Sequence, residues 1–211
     1  HQTRFGRSPG MRNMATFGSL DEIQHGQIQI FFAYEFLKHD AVFDWCHKSS
    51  KTENWIPISL RHALDDIAHT RDAASSAIML TLGLEHPFTN LQFVALSSDA
   101  AKAGDYSFST MLQSIQTDEA RHAQIGEPVI RIMIENGQKE EAQRLVEIAF
   151  WRMWKQFSVL SGIGMDYYTP LEHRENSLKE FMEEWVIGQF GRTILGLGLD
   201  LPWYWDILHE D

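Results

Sequence analysis

Apolar and polar positions follow a helical period along most of this chain, and Gly and Pro fall in small clusters that separate long stretches. The first pattern covers residues 9–38. It opens at Ser8-Pro9, where the hydroxyl suits a cap and the proline suits a first turn. Its second half, Ile28 to Leu37, is apolar on nearly every side, which predicts a buried helix. A second pattern runs over 54–83 from Asn54 and continues over 84–102 after an irregularity at Pro87. Ala103-Gly104-Asp105 marks a turn, and residues 106–136 form the return helix, which stops at Asn136-Gly137. Residues 138–161 are helical again, with Leu145, Ile148, Trp151 or Met153, Trp154 and Phe157 as the core-facing stripe. Tyr168-Thr169-Pro170 breaks that run, 175–195 gives one more helix, and the aromatic tail Pro202-Trp203-Tyr204-Trp205-Asp206 is expected to pack on the body. No segment reads as a strand. The expected fold class is all-α, with long antiparallel helices.

Composition narrows this picture. The chain has 211 residues, 44% of them hydrophobic, with 13 Phe and 7 Trp, which excludes disorder and predicts one domain over 1–211. A formal charge of −11 argues against nucleic acid or an anionic membrane surface as partner. The lone Cys46 excludes an internal disulfide framework and fits a cytoplasmic setting. No apolar run is long enough for a transmembrane helix. His1-Gln2-Thr3-Arg4-Phe5 is neither a start methionine nor a signal peptide, so a piece of a longer chain is expected.

The chemistry lies in a repeated motif. Asp21-Glu22-Ile23-Gln24-His25 and Asp118-Glu119-Ala120-Arg121-His122 are both D-E-x-x-H inside helical patterns. A Glu and a His three apart share one helix face, so both can reach one metal ion, and a carboxylate with an imidazole suits iron, manganese or zinc. With 16 Glu and 10 His, chance supplies about 0.8 E-x-x-H pairs, and a single copy reads as readily as a buried ion pair. A preceding Asp drops the chance count to about 0.05, which two copies far exceed. Asp44-Trp45-Cys46-His47 and Asp66-Ile67-Ala68-His69 carry similar spacing and read as structural, and His39, His62, His173 and His209 read as surface residues.

Bundles that hold two metal ions add one Glu from each of two further helices. If the hairpin turns near residue 102, the position level with Glu119 is residue 85, which is Glu85. It sits in the apolar stretch Met79 to Phe88, where a carboxylate without a partner is expensive. The remaining carboxylate falls before residue 1. The chain is therefore expected to be shortened on its N-terminal side by one ligand helix, and shortened on its C-terminal side as well.

These residues resemble the α, catalytic subunit of the bacterial multicomponent soluble di-iron monooxygenases, nearest the toluene, benzene and alkene monooxygenase hydroxylases. The stretches that carry the likeness are 12–18, 21–29, 88–93, 114–124, 165–172 and 202–206. The resemblance implies a ferritin-like di-iron four-helix-bundle core with additional long helices. It implies two iron ions in a carboxylate-bridged centre, held by Glu22 and His25 on one side and Glu85, Glu119 and His122 on the other. Asp21 and Asp118 match aspartates that hydrogen-bond the ligand histidines, and Arg121 would sit among the carboxylates and help neutralise them. Thr89 matches a threonine that assists proton delivery and is carried over as the catalytic side chain. Asn90 and Gln116 match polar positions that respond when the effector protein docks, and Leu64, Leu84 and Phe93 match the substrate pocket.

The activity so implied is insertion of one atom of O₂ into a small hydrocarbon, with ring hydroxylation of the toluene, benzene or phenol type favoured and epoxidation of small alkenes the alternative. Electrons would come from NADH through a reductase, a Rieske ferredoxin or both, with an effector protein and smaller hydroxylase subunits as further partners. A ferritin-like oxidase or radical-generating protein would use the same ligands without those partners. A non-catalytic helical subunit would be expected to lose ligands. Two departures from the aromatic hydroxylases touch the pocket: Leu84-Glu85-His86-Pro87 stands where Phe usually precedes the Glu and Thr-Gly follows it, and Leu64 replaces a usual Phe. A helix already irregular at Pro87, such as a π-turn, absorbs that proline best, and His86 is expected to point away from the ligands.

Overall fold

The computed structural model describes residues 2–44, 48 and 51–209, and of His209 the backbone alone. Cys46, the Trp45-Cys46-His47 part of the spacing that starts at Asp44, and the His209 side chain lie outside the described residues. The chain is helical, with no strand among the described residues. No helix among them is long and apolar enough to cross a membrane. It forms two compact units, His1–His69 and Thr70–Asp211.

The first unit holds α1 (Gln2–Phe5), α2 (Pro9–Leu37), a 3₁₀ turn Ala41–Phe43 and α3 (Trp55–Ala68). Ser8 caps α2 by accepting from the Met11 N–H at 3.1 Å, with Pro9 in the first turn. The apolar half of α2 is not buried as its sequence predicts: Phe31 is 62% exposed and Tyr34 53%. Within its unit α2 packs against α1 and the 3₁₀ turn, and these short pieces cover little of its surface. His25 is the residue of α2 that is buried. Helix α3 starts after Asn54, whose side chain accepts from the Ile56 N–H.

The expected helix 54–83 is broken at 69–72. His69 ends α3, and Asp72 then caps α4 (Ala73–Ala77) by accepting from the Ser75 N–H at 2.8 Å. From α4 the chain runs into a π-helix, Ile78–Thr89, which contains Pro87. A π-helix opens the turn to i→i+5 bonding, so a residue without an N–H is tolerated where an α-helix would be broken. Helix α5 (Asn90–Lys102) continues from it. A turn with Gly104 at φ +86° follows, and α6 (Tyr106–His122) returns alongside α5, capped by Asp105 on the Phe108 N–H. The return is not one helix to residue 136: a 3₁₀ turn, Ala123–Ile125, separates α6 from α7 (Gly126–Glu135). The stop at Asn136-Gly137 holds, with Gly137 at φ +75°.

Helix α8 (Lys139–Gly162) packs along the π-helix. Its buried face is Ala142, Val146, Ala149, Phe150, Met153 and Phe157. Of the stripe expected from sequence, Met153 and Phe157 are buried, Leu145, Ile148 and Trp154 are half-buried, and Trp151 is exposed. Small residues decided this. Ala149 lets α8 close on Gly83 of the π-helix, where a Cβ would stand 3.0 Å from the Ala149 Cβ. The last run starts at Leu178 rather than 175, because Ser177 and Glu180 form a capping box. It passes from α9 (Leu178–Phe181) through a π-helix, Met182–Phe190, into α10 (Gly191–Gly196). In the tail, Tyr204 and Trp205 are buried, Trp203 is exposed, and the Tyr204 hydroxyl donates to the Glu147 carbonyl at 2.6 Å.

Gly126 marks a second close approach. A Cβ there would lie 2.7 Å from the Leu82 Cβ and 2.9 Å from the Thr81 Oγ1. Its φ is an ordinary −67°, so the constraint is steric. Gly126→Ala is expected to destabilise the protein by about 1–3 kcal/mol through overpacking, a cost that outweighs the gain of at most about 1 kcal/mol in helix propensity. Thermal unfolding reads this directly, and an unchanged or raised midpoint would remove the close-packing argument.

Candidate metal centre

The π-helix and the start of the α5–α6 hairpin determine what faces what. Glu85 stands on the π-helix and Glu119 and His122 stand on α6, one helical turn apart. The hairpin brings them together: each offers a ligand atom, and these atoms lie within 4.8 Å of one another. Glu85 Oε1 is 3.9 Å from His122 Nδ1. All three side chains are buried, each at 4% exposure. Two carboxylates this close and this dry repel each other and lose hydration, so the pocket is energetically matched to added positive charge. The donor set, two carboxylate groups and an imidazole, suits iron, manganese or zinc, and the separation suits ligands about 2.0–2.2 Å from one ion.

The other expected residues fall around this cluster or in the first unit. Asn90 is buried at the start of α5; its Nδ2 donates to the Glu85 carbonyl at 2.9 Å, and its Oδ1 accepts from Gln116 Nε2 at 3.1 Å. Asn90 and Gln116 are thus one network that ends on the backbone of Glu85. The half-buried Thr89 donates its hydroxyl to the Leu84 carbonyl at 3.5 Å, a long bond that leaves the group easily redirected. Leu84 is buried and Phe93 half-buried. Arg121 is 57% exposed at its side chain and pairs with Asp118 at 3.0 Å. Its expected place is among carboxylates, and Asp118 is one that it meets. Its long side chain follows the solvent face of α6, where its charge stays hydrated.

In the first unit, Glu22 and His25 lie on one face of α2, with Glu22 Oε1 3.7 Å from His25 Nδ1. Glu22 is half-exposed and His25 is buried. Asp21 precedes them on the same helix, half-buried. Leu64 lies on α3 and is 48% exposed. His69 ends α3 exposed, with its Nδ1 at 2.7 Å from the Asp65 carbonyl, so that spacing is a helix end.

His86 points away from Glu119 and His122. Its Nε2 is 3.3 Å from the Thr193 hydroxyl and its ring is 5.8 Å from that of Phe190. Burial holds its imidazole below the ordinary histidine pKa. The sequence held no signal for Thr193, which lies 107 residues further along the chain.

Comparison with known proteins places these residues in context. The methane/phenol/alkene hydroxylase family profile matches residues 1–137. The chain is 44% identical over 98% of its length to the oxygenase component subunit alpha of the alkene monooxygenase system of Xanthobacter autotrophicus, of which it covers 41%. It is 30% identical over 84% of its length to the oxygenase component of phenol 2-monooxygenase from a Pseudomonas species, covering 33% of that protein. The crystal structure of xenon-pressurized phenol hydroxylase from Pseudomonas sp. OX1 superposes with a TM-score of 0.82 over 95% of this chain and 41% of that one, at 27% identity.

Proposed function

The chain belongs to the methane/phenol/alkene hydroxylase family, and from that premise we propose that it supplies metal ligands to the oxygenase component of a multicomponent monooxygenase acting on a small hydrocarbon. The observation that carries the reading is the buried Glu85–Glu119–His122 cluster, built on a D-E-x-x-H motif that the chain holds twice. Glu85, Glu119 and His122 would hold one iron, and Glu22 and His25 would serve as ligands as well. When bound, a carboxylate-bridged pair of iron ions supplies the activation of O₂ that no side chain provides.

The side chains then have separate tasks. Asp118 and Asp21 orient the ligand imidazoles and fix their tautomers. Asn90 ties the Glu85 backbone to Gln116, which places the ligand-bearing turn under the control of the α6 surface. The Thr89 hydroxyl, four residues beyond Glu85, holds or passes a proton beside the ligands. Leu84 and Phe93 give apolar walls that keep water from competing with substrate. Smaller hydroxylase subunits, an effector protein and an NADH reductase, with or without a Rieske ferredoxin, complete the cytoplasmic system.

Ring hydroxylation is the leading reaction and alkene epoxidation the second. The 44% identity to an alkene monooxygenase subunit favours keeping the second. The natural full-length protein, loaded with ferrous iron and combined with its reductase and effector, is expected to bind two irons and to oxidise toluene or propene with NADH consumed. Iron uptake without hydrocarbon oxidation would support a ferritin-like oxidase. No iron uptake under anaerobic ferrous loading would leave a scaffold subunit as the account.

A further inference from the structure

We propose that His86 is a positioning residue: its bond to Thr193 and its seat on Phe190 fix the rotation of the π-helix at the turn that presents Glu85. The inference rests on the reading of Glu85, Glu119 and His122 as metal ligands and goes beyond it to what holds one of them in place.

The backbone around Glu85 needs such a clamp. On its C-terminal side the turn is secured twice, since the Asn90 N–H and the Asn90 Nδ2 both donate to the Glu85 carbonyl. At Pro87 there is no N–H to give, so the turn that contains Glu85 lacks one of the bonds that would set its pitch. His86 stands between these two points, and its link is tertiary. The imidazole Nε2 reaches the Thr193 hydroxyl on α10 at 3.3 Å. The ring lies 5.8 Å from Phe190, which is fully buried and stacked on Phe150 at 4.7 Å. That wall does not yield readily, because Phe150 is itself enclosed by Phe88, Tyr204 and Trp205.

The geometry makes His86 a lever. Neighbouring residues of a helix point in different directions, and here Glu85 faces the cluster while His86 faces α10. Any rotation of the segment that moves His86 off Thr193 swings the Glu85 carboxylate relative to Glu119 and His122. The effect belongs at the metal as well as in stability. A residue that merely filled space would change the unfolding midpoint and leave the metal's surroundings alone.

The test uses the natural full-length protein and anaerobic titration with Co(II), whose visible absorption reports ligand geometry. Thr193→Val keeps shape and removes the hydroxyl. His86→Phe keeps the ring against Phe190 and removes the nitrogen. Each is expected to weaken Co(II) binding by about tenfold, the lower end for losing an outer partner of a ligand set, and to alter the Co(II) spectrum. The double variant is expected to be no weaker than either single one, because both remove the same bond. His86→Gln, which can still reach a hydroxyl, is expected to recover part of the affinity. Wild-type affinity and spectrum in both single variants, with or without a lowered unfolding midpoint, would overturn the proposal, as would fully additive losses. If His86→Phe fails to fold by circular dichroism, Thr193→Val carries the test. A wild-type protein that takes up no Co(II) would sink the metal reading, and this inference with it.

Discussion

Glu119→Ala is expected to abolish iron binding at the Glu85 side of the site and, with it, hydrocarbon oxidation. Changing an outer partner of a ligand typically costs about ten- to a hundredfold in metal affinity, and losing the ligand itself costs more than that. The diagnostic part is what happens without metal. Glu119 and Glu85 are both 4% exposed, with their ligand atoms and that of His122 within 4.8 Å. Two buried carboxylates at that distance destabilise each other. Deleting one leaves Glu85 with His122 at 3.9 Å, so the metal-free variant is expected to unfold at an equal or higher temperature than the metal-free wild type. A purely structural ion-pair network predicts the reverse, since breaking a buried pair costs about 3–5 kcal/mol. The two readings therefore give opposite signs in one calorimetric comparison, with iron content measured beside it. A Glu119→Ala protein that keeps its iron and melts early would sink the metal-centre account.

The cluster was legible because its determinants are local. Two residues three apart on α6 share a face whatever the tertiary context, and a turn signalled by Ala103-Gly104-Asp105 places residue 85 opposite residue 119 by simple reflection. Helix starts at Ser8, Asn54 and Asp105 were equally local, each a side-chain oxygen on a free N–H. The misreadings share the opposite character. Periodicity carried helix 54–83 through residues 69–72, although Asp72 and Ser75 form a cap there, because a short break barely disturbs a hydrophobic count. Periodicity predicts a stripe of large residues on α8, whereas the helix closes on Gly83 through Ala149. The exposed apolar half of α2 shows that a pattern reports what a segment can bury, and the packing present in its unit decides what it does bury. The π-helical pitch of 78–89 was hinted at by Pro87 alone, and nothing in sequence joined His86 to Thr193.

Phe150→Ala is the substitution expected to cost the most in stability, about 3–5 kcal/mol for an enclosed phenylalanine. Phe150 is fully buried in the middle of α8, with ring centroids of Phe190, Trp205, Phe88, Trp154 and Tyr204 between 4.7 and 6.4 Å away. These neighbours come from four separate segments: the π-helix that carries Glu85, α8 itself, the second long π-helix and the aromatic tail. The ring cannot be replaced by local collapse, because Gly83 already sits against Ala149 and leaves no slack on that side. The loss also removes the favourable aromatic geometry, about 0.5–1.5 kcal/mol for a pair. Such a cost is a large share of the roughly 5–15 kcal/mol that holds a domain together. Its consequence reaches the site, since Phe88 lies three residues from Glu85 on the same helix and would lose one of the rings it packs on, keeping Trp154 and Phe157. Urea unfolding of Phe150→Ala should therefore show a lower midpoint, and Phe150→Leu should recover more than half of the loss by refilling most of the volume. A loss below about 1 kcal/mol in the alanine variant, the level of an ordinary surface change, would mean that this aromatic centre is not what holds the ligand-bearing helix in place.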